Sequence, residues 1–109
     1  MWDNLSHMPN LTAFIKESLR MFAPVPIIGR VLKSPLRFGE CIVPEGTQIE
    51  IHLHLIHHHP DVWPDHEKFL PERFLDENKA NRHPYSHVPF AAGSRNCIGK
   101  HFAMHEIKV

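Results

Sequence analysis

Proline constrains this chain more than any other residue. Ten prolines stand among 109 residues, against five glycines. A ring that locks φ and removes a backbone donor interrupts helices and central strands alike. Extended, kinked segments are therefore expected rather than a compact helical bundle. The clearest helix is Asn10 to Phe22, where Leu11, Phe14, Ile15, Leu19 and Phe22 recur at helical spacing on one face. Asn10 or Pro9 supplies its start, and Ala23-Pro24-Val25-Pro26 ends it. Ile27 to Leu32 reads as a strand carrying Arg30. A turn at Ser34-Pro35 leads into Leu36 to Val43, and Pro44-Glu45-Gly46 is a type II turn into a second strand, Thr47 to Leu53. There Ile49, Ile51 and Leu53 alternate with Gln48, Glu50 and His52, which predicts one buried face. From His57 to Pro89 the chain is irregular, although Asp65 to Phe69 can hold a short helix. Trp63, Phe69, Phe74 and Tyr85 are expected to anchor that segment to a core.

Charge and hydropathy exclude several function classes. The formal net charge is zero with histidine neutral, so nothing favours a nucleic-acid or polybasic membrane partner. No apolar run reaches the length of a membrane span, and no signal peptide opens the chain. The two cysteines, Cys41 and Cys97, are too few for a disulfide framework and suggest a reducing compartment. Trp2 opens directly into a structured-looking segment and Val109 stops inside an amphipathic pattern, so the chain reads as a piece of something longer.

The chemistry concentrates in Phe90 to Gly99, Phe-Ala-Ala-Gly-Ser-Arg-Asn-Cys-Ile-Gly, which sets Cys97 between two glycines and just after Arg95. Lys100 to Val109 look like the first turns of a helix. A cysteine at a helix start faces unpaired N–H groups and the positive end of the dipole, which favour thiolate over thiol. Such a thiolate suits a soft metal or a haem iron as axial ligand. Gly93 and Gly99 are expected to let the backbone turn sharply and approach a flat cofactor. Eleven histidines raise a rival idea, a metal site. Yet the chain has neither a Cys-x-x-Cys pair nor a His-Glu-x-x-His helix, and His57, His58 and His59 in a strand or turn cannot all face one ion. Solvated or capping histidines are the expectation.

Three motifs in order resemble the cytochrome P-450 haem–thiolate monooxygenases. They are Glu17-Ser18-Leu19-Arg20 (Glu-x-x-Arg), Pro71-Glu72-Arg73-Phe74 (Pro-Glu-Arg-Phe) and Phe90-x-x-Gly93-x-Arg95-x-Cys97-x-Gly99. The last is the specific one; a lone Glu-x-x-Arg is nearly worthless. Trp2-Asp3-Asn4-Leu5, Ile15 to Arg20, Val25-Pro26, His57 to Asp65 and Arg95 to Gly99 look most like family 4, the branch associated with ω-hydroxylation of fatty acids and related lipids. Ala23 stands where the family often has a proline, and so does His66. Both put local rigidity in doubt more than chemistry.

The resemblance implies a fold that is mainly α with small β-sheets: K helix, short strands, meander, cysteine loop and start of the L helix. Residues 1–109 would then be a partial domain, the C-terminal haem-binding part. It implies Cys97 as the axial haem-iron ligand, Phe90 against the porphyrin, Arg95 and Arg30 on haem propionates, and Gly93 and Gly99 shaping the loop. Backbone N–H groups after Cys97, including that of Gly99, are expected on its sulfur. Glu17, Arg20 and Arg73 become a buried charged triad, replacing the surface ion pair that spacing alone suggests for Glu17 and Arg20. Val25, Ile27 and Ile28 match a substrate-contacting turn, with ordinary core as the other reading. A parent enzyme of this kind would take electrons from NADPH through cytochrome P-450 reductase, with Lys100 as a candidate contact, and act on a lipid-like substrate at the endoplasmic reticulum membrane. Its oxygen-activating helix and its membrane anchor would precede residue 1. A non-catalytic haem-binding relative or a truncated gene product shares every motif here. A histidine-rich zinc module is the third reading, and it does not require Cys97.

Overall fold

The computed structural model describes residues 2–78 and 81–109. A short helix α1 (Trp2–Ser6) leads into the main helix α2 (Pro9–Met21). Pro9 occupies the first turn, where its missing N–H costs nothing, and Phe22 closes the far end through its amide to the Ser18 carbonyl. The buried face of α2 is not the expected apolar stripe. Ala13, Ile15, Glu17 and Arg20 are buried, whereas Phe14 and Phe22 are 52% and 75% exposed. The small Ala13 and the charged pair share one line along the helix, and the turn at Pro71–Phe74 packs against it.

Four strands follow: β1 (Ile27–Val31), β2 (Leu36–Phe38), β3 (Cys41–Val43) and β4 (Gln48–His52). β1 and β4 pair antiparallel with Arg30 opposite Ile49, and β2 and β3 form a separate hairpin with Phe38 opposite Cys41. Leu36 to Val43 is thus folded back on itself, because Gly39 takes φ +60° at the turn. The Pro44-Glu45-Gly46 turn is as expected, with Gly46 at φ +81°.

Leu53 ends the alternating pattern but begins a helix, α3 (Leu53–His57), instead of closing the strand. Leu53 and His57, one turn apart, bury together. Asp65 to Phe69 is a turn and not a short helix: Asp65 sits at φ +52°, and the Lys68 amide reaches its carbonyl at 2.8 Å. Of the four expected aromatic anchors, Trp63 is completely buried and Phe74 half-buried beside it, while Tyr85 is 61% exposed. Phe69 stays at the surface with its ring edge-on to Phe14, 5.2 Å between centroids. The chain finishes in α4 (Lys100–Glu106). Helices and small antiparallel sheets in this order agree with the mainly α expectation. Among the described residues no helix is long and apolar enough to cross a membrane.

Candidate functional site: a cysteine loop held by a buried charged scaffold

Glu17 and Arg20 are both fully buried, one turn apart on α2. Arg20 meets Glu17 as a fork, Nε to Oε2 and Nη2 to Oε1, each at 2.8 Å. Its remaining N–H groups donate to the carbonyls of His57 (2.9 Å), His66 (3.0 Å) and Lys68 (3.1 Å). Glu17 Oε1 also accepts from the Leu70 amide at 2.9 Å and from Arg73 Nε at 3.2 Å. Arg73 in turn donates to the Pro64 carbonyl at 2.9 Å. A segment of the chain without regular structure is thereby tied to α2 through its own backbone carbonyls. Burial pushes the Glu17 carboxyl up. The hydrogen bonds from Arg20 and the Leu70 amide, with the Arg20 and Arg73 charges, outweigh it and hold the group below its usual range.

Two histidines, His57 fully buried and His87 partly buried, link this scaffold to the loop, against the expectation that the histidines are solvated or capping. His57 is fully buried, and its Nε2 accepts from the Val88 amide at 3.0 Å. His87 Nε2 lies 3.0 Å from the Lys16 carbonyl, which can only accept, so that nitrogen carries the proton. Burial, and then the neighbouring His58, Arg20 and His54, push His57 down to about 4. Burial, and then His57, push His87 down to about 3, against its hydrogen bond to Lys16. Both are neutral at physiological pH. His83 and His58 do take capping contacts, to the Tyr85 amide and the His54 carbonyl. Among the described residues no three metal-ligating side chains gather at one point.

The loop itself is closed by the Cys97 amide, which donates to the Phe90 carbonyl at 2.9 Å. Cys97 is exposed and lies two residues before Gly99, the N-cap of α4. Gly93 takes φ +80°, a conformation that disfavours any side chain, so the sharp turn expected of it is present. Gly99 departs from it: its φ of −87° is open to every residue, and an added Cβ would meet only Cys97 Sγ, at 3.9 Å.

Cys97, Phe90, Arg95, Val25 and Ile28 line one apolar cleft of about 300 Å³, with Leu53 contributing from α3. Arg30 and Gly93 line an adjoining cleft of about 370 Å³ that shares Ile28 and Leu53. Arg30 Nη2 donates to the Arg95 carbonyl at 3.5 Å, which brings β1 against the loop. Ile27 stands apart: it lines neither cleft. His57, His87 and Arg82 were not visible as site residues in the sequence. Arg82 lies 4.5 Å over the Trp63 ring and donates to the Arg73 carbonyl at 3.0 Å. Only the clustering of histidines around an irregular, proline-rich stretch could have drawn attention to them.

An exposed thiol beside an apolar slot, with guanidinium groups at its rim, can hold a flat, largely apolar group that carries acidic edges. The family model for cytochrome P-450 matches residues 1–109. The chain belongs to the cytochrome P-450 family. It is 47% identical over 99% of its length to cytochrome P-450 4B1 of Rattus norvegicus. It is 48% identical over 95% of its length to probable cytochrome P-450 4p3 of Drosophila melanogaster, and 46% identical over 99% to taurochenodeoxycholic 6 alpha-hydroxylase of Sus scrofa. It spans about a fifth of the length of these relatives, 21%, 20% and 21% respectively. The cofactor of the cytochrome P-450 family is haem, reduced by electrons that a reductase draws from NADPH. The donor set fits that cofactor: one thiol on the wall of the slot, apolar side chains around it and arginines at its edge.

Proposed function

We propose that these residues are the C-terminal haem-binding part of a haem–thiolate monooxygenase that hydroxylates fatty acids or related lipids. The observation that carries this reading is the gathering of Cys97, Phe90 and Arg95 with Val25 and Ile28 on one cleft. Cys97 would hold the iron through its sulfur, and Arg95 and Arg30 would pair with the propionates. Phe90 would cover the ring on the sulfur side and keep water from it. Haem bound through thiolate supplies the reduction of O₂ that inserts one oxygen atom into a C–H bond. Val25 and Ile28 would present apolar surface to the substrate beside the ring, while Ile27 would not. The scaffold of Glu17, Arg20 and Arg73 holds the segment before the loop and so fixes where the sulfur stands.

A lipid substrate is supported by the apolar lining of the cleft and by the family-4 designations of the relatives. Reductase docking near Lys100 and residence at the endoplasmic reticulum membrane belong to the same proposal, carried by resemblance to that branch. The test uses the full-length protein that contains these residues. Its reduced, carbon-monoxide-bound form should give the difference band of thiolate-ligated haem, and Cys97→Ala should lose that band while haem is retained. An unchanged band in Cys97→Ala would overturn the ligand assignment.

A further inference from the structure

We propose that His57 is a positioning residue for the cysteine loop, fixing the Val88 amide and through it the turn that carries Cys97. The inference rests on the haem–thiolate reading above. It starts from an unbroken line of contacts. Arg20, locked on Glu17, donates to the His57 carbonyl at 2.9 Å, and His57 Nε2 accepts from the Val88 amide at 3.0 Å. The Val88 carbonyl accepts from Ala91 at 2.9 Å, and the Phe90 carbonyl accepts from the Cys97 amide at 2.9 Å. The ion pair and the sulfur are thus joined through one imidazole ring.

That ring has only one workable protonation state. Nε2 must be bare to accept from Val88, so the proton sits on Nδ1, a buried atom with no hydrogen-bond partner. The molecule tolerates an unsatisfied buried donor there, which is costly, and gains an acceptor at the one amide that enters the loop. His87, of opposite tautomer, fastens the preceding residue to α2 through the Lys16 carbonyl, its ring centroid 5.3 Å from that of His57. Protonating His57 would turn its acceptor into a donor aimed at another donor and release Val88. Burial resists this first, and then the groups facing the ring: His58 just beyond its own helix, Arg20 from α2 and His54 from that helix. The His87 ring faces it from the loop, with Lys16 and Arg82 behind.

The test compares His57→Leu, which fills space without an acceptor, with His57→Gln, whose Oε1 can accept from Val88 and does not titrate. Both are made in the full-length, haem-loaded protein. The readouts are the share of thiolate-ligated carbon-monoxide band against pH and amide exchange at Val88. His57→Leu should lose most of that band at neutral pH and exchange Val88 about tenfold faster or more. His57→Gln should keep the band, and keep it to lower pH than the parent protein. If His57→Leu fails to fold, the acid shift of His57→Gln against the parent decides. A parent-like band and exchange rate in His57→Leu, or no acid shift in His57→Gln, overturns the positioning role alone. A parent protein without the thiolate band overturns the haem reading and this role with it.

Discussion

At the scale of the residue, Glu17 carries the heaviest consequence. Its two oxygens receive Arg20, Arg73 and the Leu70 amide in a site closed to water. Glu17→Gln leaves two guanidinium groups without their counter-charge and should cost about 3–5 kcal/mol, read by chemical denaturation of the full-length protein. Arg20→Lys should fail nearly as badly, because an ammonium cannot reproduce the fork and three carbonyl contacts. Two histidines behind this site set the acid limit. His57 and His87 have native pKa values below the ordinary 6.5, so the unfolded chain binds more protons as pH falls, and stability drops with it. The loss should begin near pH 6.5 and run to about 4 for His57 and about 3 for His87, with Glu17 adding to it below 4.5. For His57 alone it amounts to about 3 kcal/mol. A denaturation series from pH 7 to about 4 checks the sign, and constant stability across that range would contradict it.

At the scale of the element, the loop separates its two glycines. Gly93→Ala forces a side chain into φ +80° and should cost about 1–2 kcal/mol and weaken haem retention. Gly99→Ala should be close to neutral in both, since its backbone is unstrained. Thermal unfolding and haem titration of the two variants make the comparison. The loop also shows how far the sequence was readable. Its signature and the Glu17–Arg20–Arg73 triad were legible only through the resemblance to the cytochrome P-450 family, since spacing alone suggested a surface ion pair for Glu17 and Arg20; α2, β1 and β4 followed from periodicity and proline punctuation. The buried side of α2 was not, because the core of this chain is built on a charged pair that hydropathy scores as surface. α3 was missed because five residues are too few to show a helical repeat. It folds there because Leu53 and His57 bury together and the His57 carbonyl receives Arg20. The roles of His57 and His87 depend on partners 31 and 71 residues away, beyond any local pattern.

At the scale of the whole molecule, the described residues bury only Ala13, Ile15, Leu53 and Trp63 as apolar core. Ile98, Phe102 and Val109 are 102%, 73% and 92% exposed around α4, and Phe38 and Ile42 are 77% and 70% exposed on the β2–β3 hairpin. The radius of gyration is 16.2 Å, against about 13 Å for a compact domain of this length. Those apolar faces have no cover among the described residues. Expressed alone, the 109 residues should bind a hydrophobic dye and unfold without cooperativity. A protease-resistant core would count against this. One buried feature would report on the process directly. Arg82, Arg20 and Arg73 stand 4.5, 5.3 and 5.9 Å from the Trp63 ring, and the His87 ring lies 6.2 Å away. An indole sealed from water and surrounded by cations has an emission spectrum set by those neighbours. With Trp2 replaced by phenylalanine, blue-shifted fluorescence from Trp63 becomes a built-in gauge of whether the scaffold is closed. Loss of that blue shift on acidification would mark the opening of the scaffold.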